Sequence, residues 1–76
     1  MSRKILVRRL GPEGHIDQLL PVDEAFDILS EDLLTSLLYV PPAESGEGFM
    51  IRDEAHLRSV IWRVEEVIVL PMVRGG

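Results

Sequence analysis

The chain has 76 residues, which allows one domain with a thin core, since a chain of this size buries only about 60% of its unfolded surface. Apolar residues make up 46% of it, enough for ordinary packing, and there is no cysteine, so disulfides and thiolate zinc sites are excluded. Thirteen acids against eight bases leave a net charge of −5, which repels nucleic acid and anionic lipid, so neither is expected as a partner.

No apolar run approaches the roughly 20 residues of a membrane span, and no secretory leader pattern opens the chain. A cytoplasmic protein without membrane contact is the expectation. Four of the eight bases, Arg3, Lys4, Arg8 and Arg9, crowd the start, where they read as solubilising charge flanking a strand.

"KILVRRL" (4–10) is a strand by composition, with Ile5, Val7 and Arg9 on one face and Lys4, Leu6, Arg8 and Leu10 on the other. "GPEG" (11–14) is turn chemistry, and "HIDQLLPV" (15–22) reads as the returning strand of a hairpin, with Ile16 and Leu20 inward. The period then changes. Phe26, Leu29 and Leu33 lie three and four apart, shouldered by Ala25 and Ile28, and Asp23 and Glu24 stand where a helix dipole favours acids. This spacing predicts a helix over 23–34. Ser30 is its weak point, because a serine there is also able to cap a second turn.

"SLLYV" (36–40) fits either an extension of the helix or a short third strand closed by Pro41-Pro42; the strand is the reading adopted. "PPAESGEG" (41–48) is a loop and "FMI" (49–51) a short strand. "RDEAHLRSVIW" (52–62) sets Leu57, Val60 and Ile61 at helical spacing behind Asp53 as N-cap. "EVIVLPMV" (66–73) is the most hydrophobic segment and reads as a central strand buried on both faces and parallel to a neighbour, with Pro71 limiting pairing near its end. The predicted fold is therefore α+β: a β-grasp roll with a mixed sheet of four to five strands covered by one main helix, plus a short second helix. The domain is expected to span 1–73, followed by a tail at 74–76.

Nothing in the chain builds a self-contained active site, so an enzyme is not expected. His15 and His56 have no ligand spacing and read as surface histidines. Glu31-Asp32 and Glu65-Glu66 are adjacent pairs whose side chains diverge, and they read as solvated charge. Tyr39 and Trp62 are residue types that anchor partners, but in a core this small they read as structural aromatics. No metal and no bound cofactor are implied.

The ending is different. Arg74, Gly75 and Gly76 follow a strand directly. Glycine lacks Cβ, threads a narrow channel and carries an unhindered carbonyl, so a terminal Gly-Gly offers a carboxylate to another enzyme's pocket. Here the chain resembles the ubiquitin-like β-grasp proteins. "EEVIVLPMVRGG" is similar to the last strand and tail of the prokaryotic sulfur carriers, matched at Glu65, Glu66, Val67, Pro71, Val73, Gly75 and Gly76, with Met72 where those have a second proline. "VRGG", the length and the Ile5, Val7, Leu10 spacing look more like ubiquitin itself.

The resemblance implies a carrier adenylated at Gly76 by an E1-like adenylating enzyme that uses ATP, with Met72, Val73 and Arg74 as the tail that partner grips. Two fates diverge from there. A modifier passes to an E2-like conjugating enzyme and then to a target protein, with a deconjugating protease to reverse it. A sulfur carrier becomes a thiocarboxylate and delivers sulfide to an acceptor in molybdopterin- or thiamine-type biosynthesis. A third reading is an unconjugated interaction module. Lys4 is the sole lysine, hence the one side-chain acceptor for self-linked chains.

Overall fold

The computed structural model describes residues 3–42 and 46–72. Its elements run β1 (Lys4–Gly11), β2 (Gly14–Pro21), α1 (Val22–Asp32), β3 (Ser36–Val40), β4 (Phe49–Ile51), α2 (Glu54–Val60) and β5 (Glu66–Pro71). The five strands form one mixed sheet in the order β2-β1-β5-β3-β4. The β1–β2 hairpin is antiparallel, β5 lies parallel to β1, and β3 is antiparallel to both β5 and β4. The last strand thus sits in the middle, and the main helix crosses one face: this is the β-grasp roll expected, with five strands and 36–40 resolved as a strand.

Period-two alternation decides which face is dry. Ile5 and Val7 of β1, Val67 and Val69 of β5, Leu38 and Val40 of β3 and Ile51 of β4 all point to the helical side and are buried. Leu29, Ala25 and Val22 of α1 and Leu57, Val60 and Ile61 of the α2 region close that core, with Phe26 and Leu33 packed at its margin. Burying a Leu- or Val-sized side chain contributes about 1.5–3 kcal/mol, so this single layer carries most of the stability.

Local chemistry sets the ends. Gly14 closes the hairpin turn at φ 123°, a conformation that L side chains rarely adopt. The preceding residue of α1 is Pro21, which offers no side-chain cap. The amide of Val22 instead donates to the carbonyl of Arg3 at 3.0 Å, and Asp23 and Glu24 in the first turn meet the positive end of the dipole. α2 has the N-cap its sequence promised: Asp53 Oδ1 accepts from the amide of His56 at 2.8 Å.

Several expectations are corrected. Ser30 caps no second turn, because α1 runs through it to Asp32. Ile16 is not inward-buried but 66% exposed, while Leu20 does pack on the core. Ile16 pairs with Arg9, near the hairpin tip, where the inner face is taken by an ion pair rather than apolar side chains. That pair is Arg9 with Asp32 of α1, two hydrogen bonds of 2.9 Å. β5 is buried on one face only, since Ile68 and Leu70 are half-buried beneath no covering layer. The opening bases are not merely solubilising, because Arg3, Arg8 and Arg9 each hold specific partners.

Candidate functional site: the open sheet face and the root of the tail

The face of the sheet turned away from the helices divides in two. On β2, β1 and β5, Arg8 is the hub of an ion triad. It donates from Nε to Asp17 Oδ1 at 3.0 Å and lies 3.6 Å from Glu66. The register explains it, since Arg8 is opposite Asp17 and two positions along its strand from Leu6, the partner of Glu66. The Arg8 guanidinium holds the Asp17 carboxyl below its ordinary range, first through the hydrogen bond and then through charge. His15 Nε2 stands 3.8 Å from the same carboxylate, which leaves it at the surface as expected.

On β5, β3 and β4 the same face is apolar. Ile68 and Leu70 alternate with the buried valines, Tyr39 and Leu37 lie opposite them on β3, and Met50 lies opposite Tyr39 on β4. Met72 continues the parity of Ile68 and Leu70. Leu37 and Met72 are 44% and 47% exposed, and Leu34 in the turn after α1 is 81% exposed. These three form an apolar collar at one end of the sheet, around the place where the chain leaves β5.

Two contacts tie the chain to the start of β3 at that place. Ser36 pairs with Pro71, and the amide of Met72 donates to the carbonyl of Thr35 at 3.4 Å. Of the predicted tail residues, Met72 is described and exposed; Val73, Arg74, Gly75 and Gly76 lie outside the described residues. Lys4, the candidate acceptor, is exposed at the start of β1. β1 and β5 are parallel, so Lys4 is at the opposite end of the sheet from Met72.

Among the described residues, no group of three or more His, Asp or Glu side chains is placed to hold a metal ion, and no helix is long and apolar enough to cross a membrane. His56 is engaged in structure: its Nδ1 accepts from the amide of Arg52 at 3.1 Å and its ring lies 5.6 Å from that of Phe49. Tyr39 is half-buried, as a structural aromatic should be. Trp62 is not; it is 65% exposed. The structural reading of Trp62 is therefore corrected. The signal against that was its position, one residue past the buried Val60-Ile61 pair and before Arg63, where a helical stripe turns to solvent. No family model, curated protein or solved structure matches the chain.

Proposed function

We propose that the protein is a ubiquitin-like modifier that acts through the carboxyl group of Gly76 and leaves catalysis to its partners. The observation that carries this reading is the place of β5. The strand before the tail is the central one, hydrogen-bonded to β1 on one side and β3 on the other, and the chain beyond it emerges at the apolar collar of Leu34, Leu37 and Met72. A partner can pull on such a tail without loosening the fold, and the collar supplies apolar area to hold it by.

In the proposed cycle, a Gly76 carboxylate oxygen attacks the α-phosphorus of ATP in an adenylating enzyme and pyrophosphate leaves. A cysteine thiolate of the partner then attacks the acyl carbon and AMP leaves. The thioester finally passes to an amine of the target. The protein binds no cofactor of its own on this reading, since ATP belongs to the activating partner.

The test uses the full chain, tagged at its N-terminus and produced together with its genomic neighbours. Higher-mass conjugates that vanish on truncation after Met72 support the reading. If intact mass instead reveals exchange of one oxygen for sulfur after treatment with the adenylating partner, ATP and a sulfur donor, the protein is a sulfur carrier. If truncation changes neither partner binding nor phenotype, the protein is an interaction module and the modifier reading fails.

A further inference from the structure

A groove of about 370 Å³ lies on the other side of the molecule, between the first half of α1 and the end of α2. Its apolar floor is Val22, Phe26 and Ile61, and one wall is the indole of Trp62, 65% exposed. The opposite rim carries Asp23 and Asp27, one helical turn apart on α1. Neither carboxylate has an ion-pair partner among the described residues.

One residue ties both walls together. The Arg3 guanidinium donates to the carbonyl of Trp62 and, at 2.8 Å, to that of Val64, while the Arg3 carbonyl accepts from Val22 at 3.0 Å. The start of α1 and the segment bearing Trp62 are thus held at a set spacing by a single clamp. A large aromatic, exposed on a segment whose backbone is clamped, is the pattern of an interface anchor.

The chemistry of the occupant follows from the lining. The groove already accommodates one guanidinium: Arg58 lies 5.5 Å from the centre of the Phe26 ring. That arginine comes from the groove's own edge, and its ion-pair contact, at 3.6 Å, is with Glu54 rather than with either aspartate. An indole face, a phenyl ring and two carboxylates together favour a planar cation with an apolar stem. The net charge of −5 attracts a basic partner over distance.

We propose that this groove is a docking site for an arginine side chain of a partner polypeptide, its guanidinium stacked on Trp62 and paired with Asp23 and Asp27, its stem on Phe26 and Ile61. The site is remote from the tail root and does not depend on the modifier reading.

Trp62 is the sole tryptophan, so its emission reports on the groove directly. The probe is a capped tetrapeptide with one arginine beside one leucine, titrated into the full chain, with a citrulline peptide of the same shape but no charge as control. The expected result is a saturable change in Trp62 emission that is about tenfold weaker with citrulline and weakens further as salt rises. D27N is expected to loosen binding about threefold to tenfold. R58Q is expected to tighten it, because the resident guanidinium no longer competes for the Phe26 face. Amide shifts mapped by NMR in the presence of the arginine peptide should cluster on Val22–Asp27 and Arg58–Trp62. No saturable change, equal response to citrulline, weaker binding by folded R58Q, or shifts that cluster on the open sheet face would each overturn the proposal.

Discussion

Glycine 48 shows how much one missing carbon can matter in a molecule this small. A Cβ there would overlap the Tyr39 hydroxyl and stand 3.0 Å from Pro42 Cδ. The atoms in the way are the far end of the half-buried Tyr39 side chain, which is able to move aside, and the more fixed Pro42 ring. Gly48→Ala is expected to destabilise by about 1 kcal/mol, the low end of an overpacking cost, read as a lower urea midpoint with unchanged slope. Asp17 makes a second prediction at this scale. Its carboxyl titrates lower in the folded than in the unfolded state, because Arg8 hydrogen-bonds the charged form. Its contribution is therefore fully present above the ordinary aspartate range and is lost as pH falls through the depressed folded value. Wild type and D17N should differ in stability at pH 7 and converge well below pH 4, so a thermal scan against pH that keeps the gap constant would contradict the assignment.

At the scale of elements, the two helices solve the same problem differently. α1 begins after a proline, without a side-chain cap, and borrows the carbonyl of Arg3 across the sheet. α2 is only seven residues long and relies on Asp53. A short helix has few bonds with which to offset the cost of its first turn, so its cap counts for more. Asp53→Ala is expected to cost about 0.5–2 kcal/mol, and amide exchange should accelerate most in 54–60. Asp53→Asn should recover most of the loss, since the amide oxygen accepts the same bond.

For the whole molecule, size sets the limit. At about 0.05–0.15 kcal/mol per residue, a chain of this length is stable by only roughly 4–11 kcal/mol. Leu29, fully buried where α1 crosses the sheet, is expected to cost about 2–5 kcal/mol on truncation to alanine. That is a large part of the total. Leu29→Ala should therefore be partly unfolded near 37 °C by circular dichroism, whereas Leu34→Ala, at the exposed collar, should melt like the parent. The contrast separates the apolar residues that hold the fold together from those left over for a partner.

Much of this architecture is readable along the chain. The β-forming composition of 4–10, the continuous apolar run opening at Glu66, the three-four spacing of Phe26, Leu29 and Leu33, and Asp53 before a short apolar stripe are local patterns, and each became the type of element it implied. The central, parallel place of the last strand was also expected from its continuous Val-Ile-Val-Leu run, but only one of its faces is buried, so its centrality rests on pairing with β1 and β3 at both edges. What the chain alone leaves open is which apolar residues find a cover. Ile16, Leu37, Trp62 and the outward half of β5 are apolar like the core, yet Leu37 and the outward half of β5 lie on the sheet face that receives no helix, and Ile16 and Trp62 lie outside the packed layer. The pairings of Arg3, Arg8 and Arg9 are likewise decided by strand register and helix placement, which bring together groups 9 to 61 positions apart. Periodicity is a local property of sequence; burial and ion pairing depend on what lies opposite, and only the folded chain supplies that.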